Sequence, residues 1–286
     1  MSADVDSVSE AEPGHPPLVS SPGLRLRILP PIVFSRTWRI VERNALAYRR
    51  RALVVVAALV EPVLFLFSIG IGVGALVGDL PGPNGELVSY ESFVAPGLLA
   101  AAAMNSAIFE STFNFFIKFK YMKTYDGILS TPLTPADTAT GEILFALLRG
   151  LLASTVFLVT MTALGFVESP LVILVLPVTV LIGAAFGAVG LAASTYMRSF
   201  VDFDYINLAI IPLFLFSATF FPVTQYPSAV QTIVEWTPLY QGVELCRALT
   251  LGQIDFSLLG NVVYMLVMVV VGVTVGSRRL GTLLQP

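Results

Sequence analysis

Long apolar runs recur along this chain, at 52–77, 93–117, 143–167, 171–197 and 256–276, with a shorter one at 206–221. A helix that crosses a bilayer needs about 20 such residues. In lipid, a segment must satisfy its own backbone hydrogen bonds, which a helix does. Only 12% of the 286 residues are charged and 56% are apolar, where a soluble domain carries roughly 25% charged residues. That leaves too little polar surface to cover a water-soluble globule. The pattern predicts an all-α integral membrane protein with six transmembrane helices.

Residues 1–31 do not belong to this pattern. They hold Asp4, Asp6, Glu10 and Glu12 and six prolines, and read as a disordered cytoplasmic tail without the basic start and apolar run of a signal peptide. The rest, 32–286, reads as one transmembrane domain. Orientation follows from lysine and arginine. Eight arginines precede the first run, Lys118, Lys120 and Lys123 follow the second, Arg198 follows the fourth, and Arg278 and Arg279 follow the sixth. The opposite side has Arg247 alone, and Arg149 lies inside the third run. Both termini are expected on the cytoplasmic side of the cytoplasmic membrane, which fits an even number of spans.

Before the first span, residues 32–51 form a basic amphipathic pattern. At 100° per residue Phe34, Trp38, Val41, Ala45 and Tyr48 share one face, with Arg36, Arg39, Arg43 and Arg50 opposite. This predicts a helix lying in the membrane surface, its basic groups toward anionic lipid or a cytosolic partner. Between the fifth and sixth runs, 222–255 is neither a clean span nor a polar loop. Pro222, Pro227 and Pro238 punctuate it, and apolar pieces such as Ile233-Val234 and 248–251 remain. Two short helices dipping into the membrane from one side fit that content.

Composition narrows the chemistry. A net charge of −3 argues against a nucleic-acid partner. One cysteine, Cys246, leaves no disulfide framework, and the one histidine, His15, lies in the tail, so histidine catalysis and histidine–metal sites inside the membrane are excluded. None of the lysines follows a glycine, so there is no GxxxxGK[ST] phosphate loop. The chain is expected to be no enzyme and to bind no cofactor. If ATP powers it, another chain must hydrolyse the ATP.

Charges inside the spans are costly and mark pathways or partners. Glu61 stands beside the helix-kinking Pro62 and is read as either a cavity residue or a protonated packing residue. Glu110 and Arg149 each lie toward the cytoplasmic end of their span and are expected to pair. Gly70, Gly74 and Gly78, Gly183 and Gly187, and Gly272 and Gly276 form small-residue faces that serve either a dimer interface or packing within one subunit. The connection 118–141 places Lys118, Lys120, Tyr121, Lys123, Tyr125 and Asp126 before Thr131-Pro132. Basic and aromatic side chains on a short proline-ended helix suit docking against a partner.

These residues resemble permeases of the type-2 ABC exporter family, and within it the nodulation protein J (lipo-oligosaccharide exporter) group, with daunorubicin-resistance-type permeases as relatives. The resemblance covers residues 34–280. It rests on Glu61-Pro62, Phe93–Gly97 (FVAPG), Phe109–Thr112 (FEST), Tyr125–Glu142 (YDGILSTPLTPADTATGE) and Phe216–Pro222 (FSATFFP), then Pro238-Leu239 and Arg247. Gln241 stands where that family has His, Tyr, Ser or Arg. The resemblance implies an interfacial elbow helix near 32–50, a coupling helix near 118–135 and a re-entrant hairpin near 222–252. It further implies a dimer with a second copy or a similar permease, and separate ATPase subunits that carry ATP and Mg. An amphipathic substrate is expected: a lipid-linked saccharide, a lipid or a hydrophobic drug. Two competing readings are an ion-coupled secondary transporter using Glu61 or Glu110, and an intramembrane enzyme.

Overall fold

The computed structural model describes residues 34–49, 52–81, 86–121 and 135–284. The expected tail, and Lys123, Tyr125, Asp126 and Pro132 of the 118–141 connection, lie outside the described residues.

The apolar runs become helices. After α1 (Phe34–Arg49), α2 (Ala52–Phe65) continues through a π-helical turn (Leu66–Ile71) into α3 (Gly72–Val77). Gly78 ends it at φ 73°, a backbone setting open to glycine because it has no Cβ. A minimal antiparallel hairpin, β1 (Leu80–Pro81) with β2 (Leu87–Val88), leads to α4 (Tyr90–Phe109). The Ser89 side chain caps α4 by accepting the Ser92 N–H, supplying one orphan donor of the first turn with a partner. Two further π-helical turns, Glu110–Asn114 and Ile117–Tyr121, extend α4.

Next come α5 (Pro135–Ala163), a 3₁₀ turn (Pro170–Leu174), α6 (Val175–Ser194), α7 (Asp202–Leu215), α8 (Ser228–Glu235), α9 (Pro238–Leu251) and α10 (Ser257–Leu284). The third span was expected from 143, but α5 starts at Pro135. Proline suits a first helical position, and Asp137 in the first turn complements the helix dipole. Residues 135–141 of the expected connection are therefore helical.

Among the described residues, five helices are long and apolar enough to cross a membrane, in the windows 60–77, 90–114, 140–163, 170–194 and 257–279. The run at 206–221 appears as α7, a helix of 14 residues. It stops at Phe216 because Ala218 turns to φ 52°, and the buried Ser217 and Thr219 hydroxyls bond each other at 2.7 Å. A non-helical stretch from 216 to 222 completes the run. The 222–255 segment holds two short helices, α8 and α9, as its punctuation predicts; Pro238 opens α9 as its first residue.

α4 is the buried centre. Every residue from Ser92 to Ala101 is buried, and α5, α6 and α9 pack around it. Close approach depends on missing side chains. A Cβ at Gly97 would lie 2.9 Å from Thr219, and one at Gly272 would lie 2.7 Å from the Ala188 backbone. Gly276 faces Ala192, while Gly183 and Gly187 face Ala107. Gly74 lies against the Glu91 carboxylate. Gly74, Gly183, Gly187, Gly272 and Gly276 thus serve contacts within the chain, the packing role that small-residue faces allow.

Candidate functional site

Two polar assemblies sit in this apolar bundle. The first joins α1, the π-helical end of α4 and the start of α5. Glu110, only 4% exposed, meets Arg149 Nη1 at 3.2 Å through its Oε2, so the expected pair forms. The same oxygen accepts from Asn114 Nδ2 at 2.7 Å and from the Tyr48 hydroxyl at 3.2 Å. Arg149 also donates to the Tyr48 oxygen at 3.0 Å and to Ser106 at 3.4 Å. Burial and the Glu110 carboxylate push the Tyr48 phenol up, which keeps its proton available for donation.

A second carboxylate completes the network. Glu142 takes Lys118 Nζ at 2.5 Å, Arg43 Nη2 at 3.2 Å and Asn44 Nδ2 at 3.0 Å. Lys118 also lies 3.6 Å from Glu110 Oε1, an oxygen that accepts no hydrogen bond. Charges in a low-dielectric interior are stable only when paired and hydrogen-bonded, and three cations around two carboxylates meet that demand. α1 comes close enough because residue 141 is glycine: a Cβ there would fall 2.6 Å from Ile40.

The structure shows which side of α1 meets the protein. The side chains turned inward are Thr37, Ile40, Val41 and Asn44, a stripe centred about 70° from the apolar face expected toward the membrane, at 100° per residue. Trp38 stays 47% exposed and Ala45 is exposed. Polar Asn44 turns inward because Glu142 needs its amide. Arg36 and Arg39 are exposed, as the amphipathic pattern expects.

Beyond Lys118, α4 ends in an aromatic cluster. Tyr121 stacks on Phe200 at 4.8 Å between ring centres, and Phe116 meets Phe200 and Phe203 edge-on. Lys120 donates to the Arg198 carbonyl and lies over the Phe116 ring. Lys120 and Tyr121, expected as partner-docking residues, remain exposed while tying the end of α4 to the α6–α7 connection.

The second assembly is built on Arg247, 2% exposed. Its guanidinium donates to Glu244 at 2.7 Å, to the Ala218 carbonyl at 2.7 Å and to the Phe93 carbonyl at 3.4 Å. It also stacks 3.9 Å from the Phe93 ring centre. One side chain thereby gathers α9, the break after α7 and the first turn of α4. The motifs Phe93–Gly97 and Phe216–Pro222 converge here, and Pro238-Leu239 opens the helix that carries Arg247. Gly97 admits Thr219, Leu239 is fully buried, and Pro222 is buried too.

Glu61 belongs to neither assembly. It is exposed on α2 beside half-buried Pro62, so within one chain it is neither a packing residue nor inside a cavity. Sequence reasoning gave no role to Glu142, Asn44, Asn114 or Glu244. Glu142 could have been found as an acid one residue after a glycine at a span entrance, and Glu244 from its i,i+3 spacing to Arg247. Among the described residues, no cluster of three or more acidic, cysteine or histidine side chains could hold a metal ion.

An apolar bundle with five helices long enough to cross a bilayer is an α-helical membrane domain, and the chain belongs to the ABC-2 type transporter family, whose sequence model matches residues 35–251. Curated relatives are similar over most of the chain. Nodulation protein J of Rhizobium leguminosarum bv. viciae is 34% identical over 218 residues, 76% of this chain and 81% of the relative. Nodulation protein J of Rhizobium meliloti (strain 1021) is 33% identical over 218 residues, 76% and 80%. The protein of that name from Azorhizobium caulinodans is 28% identical over 251 residues, 85% and 97%.

Proposed function

We propose that this chain is the membrane-spanning permease of an ATP-driven exporter in the cytoplasmic membrane. Its partners are separate nucleotide-binding subunits, which hold ATP and Mg, and a second copy or a similar permease. The cargo is amphipathic: a lipid-linked saccharide, a lipid or a hydrophobic drug. α7 with residues 216–221 serves as the fifth of six spans, so both termini are cytoplasmic. α1 is the elbow helix, and α8 with α9 is the re-entrant hairpin.

The observation that carries this reading is the network around Glu110 and Glu142. It fastens a basic surface helix to both helices that flank the 122–134 connection. A force applied to α1 or to that connection from the cytosol is thereby passed to spans two and three. A partner can do such work only by contacting the two states differently. Arg149, Asn114 and Tyr48 all engage Oε2 of Glu110, and Lys118 stands 3.6 Å from its Oε1, so an ion taken up there would have to compete with two resident cations.

The test is reconstitution with a nucleotide-binding subunit. Alanine at Lys120, Tyr121 or Asp126 is expected to abolish cargo-stimulated ATP hydrolysis while membrane insertion stays normal. Cargo movement by the purified chain alone, without nucleotide or companion, would overturn the proposal.

A further inference from the structure

Three elements meet on one oxygen. The Tyr48 hydroxyl donates to Glu110 Oε2 at 3.2 Å, and it accepts from Arg149 Nη1 at 3.0 Å and from Asn114 Nδ2 at 3.4 Å. A phenol offers one donor and two acceptor sites, so all of them are in use. The ring is held separately, on Phe145 at 5.1 Å between ring centres and beneath the Arg149 guanidinium at 5.6 Å. Tyr48 stands one residue before the end of α1, close to where α2 begins.

The hydroxyl is not what holds its neighbours together. Glu110 meets Arg149 directly at 3.2 Å and Asn114 at 2.7 Å, so that centre stands without it. α1 also keeps its seat without it, through Arg43 and Asn44 on Glu142 and through Ile40 against Gly141. Those seats are all on α5. Among the described residues, the hydrogen bonds that join α1 to span two run through the Tyr48 hydroxyl. The other route to Glu110 passes from Glu142 to Lys118. It stops 3.6 Å short of an Oε1 that accepts no hydrogen bond.

We propose that Tyr48 is a positioning residue, and that its hydroxyl is the link through which the seat of α1 on α5 is felt at Glu110 on span two. When α1 shifts on α5, the hydroxyl leaves Oε2, and the carboxylate turns wholly to Arg149 and Asn114. The use of this link in transport rests on the permease reading above; the link itself does not.

The test reads the Glu110 carboxyl in full-length protein in lipid nanodiscs, from its ¹³Cδ-glutamate resonance in solid-state NMR. Loss of one resonance in Glu110→Gln assigns it. Gly141→Ala moves α1, since the added methyl meets Ile40; Tyr48→Phe removes the hydroxyl and keeps the ring. With Tyr48 present, Gly141→Ala is expected to shift the Glu110 resonance. In the double variant the resonance is expected to stay where Tyr48→Phe alone puts it. A tyrosine that only packs gives additive shifts, so the loss of response identifies the link. An equal response in both backgrounds would mean that α1 reaches Glu110 through Glu142 and Lys118, and no response in either would mean that Glu110 does not register α1; each overturns the assignment. Should Gly141→Ala not assemble, Arg43→Gln, which weakens the seat on Glu142, takes its place in the same comparison. The readout involves neither ATP nor cargo, so a failed link and a failed permease reading are told apart.

Discussion

Arg149 and Arg247 are both guanidinium groups held among apolar helices, yet they are held differently. Arg247 takes one carboxylate three residues away, two main-chain carbonyls and an aromatic face. Backbone acceptors at 93 and 218 move only if their segments move, so the arrangement is fixed. Arg149 instead shares Glu110 with Lys118, Asn114 and Tyr48, all side chains, and three cations serve two carboxylates. A network with more donors than closed seats can be rearranged at small net cost. The clamp defines a joint; the network defines a contact that can be re-made.

The largest expected effect tests the fixed half. Arg247→Ala strips donors from two buried carbonyls and leaves Glu244 alone, and removing one member of a buried pair costs about 3–5 kcal/mol. Thermal unfolding in detergent should show that loss, and Arg247→Lys should recover only part of it, because lysine lacks the fork. A mild effect of Arg247→Ala would remove the basis for calling the clamp a joint.

In the exchangeable half, Arg149→Met should cost less than Arg247→Ala, since Lys118 stands ready beside Glu110. Adding Glu110→Gln should restore much of the loss. A double-mutant cycle on the melting transition checks this, and additive losses would show that the two groups are not coupled. Next in size is Gly141→Ala. The added methyl meets Ile40 and pushes α1 outward, with overpacking worth about 1–3 kcal/mol. Cross-linking between α1 and α5 should fall while the Arg247 region keeps its protection from proteolysis.

The smallest effect lies at the rim. Asp202 accepts the backbone N–H groups of Arg198 and Ser199 at 2.5 and 3.0 Å, and these bonds hold its carboxyl below the usual carboxylate range. A depressed folded value means the contribution is present above the ordinary carboxylate range near pH 4. It is lost as pH falls through the folded value. Asp202→Asn should flatten that acid limb of the stability profile slightly and leave both assemblies unchanged.

Much of this architecture is legible from residue order alone. Apolar length gives the five helices long enough to span, and charge scarcity makes Glu110 and Arg149 obvious partners. The spacing of Pro238-Leu239 and Arg247 marks a motif, although its purpose shows only once Phe93 and Ala218 come beside it. Those contacts are far apart in sequence and use main-chain oxygens, which leave no trace in side-chain pattern. The side of α1 that meets the protein is illegible for a related reason. Periodicity marks an apolar face that includes Trp38 but cannot single out Asn44, which a carboxylate on another helix draws inward. Long-range polar satisfaction overrides local amphipathicity where a charge must be buried.

The crossing at Gly272 has a last consequence. With a hydrogen where other residues carry a side chain, the backbone of α10 rests almost directly on that of α6 at Ala188, and Gly276 repeats the contact one turn on at Ala192. Sliding one rod past the other would drive Cβ atoms into main chain, so the two travel together as a single beam. Whatever motion opens a path through this domain must pivot around that beam, and a covalent tether between α6 and α10 at this level should leave turnover intact.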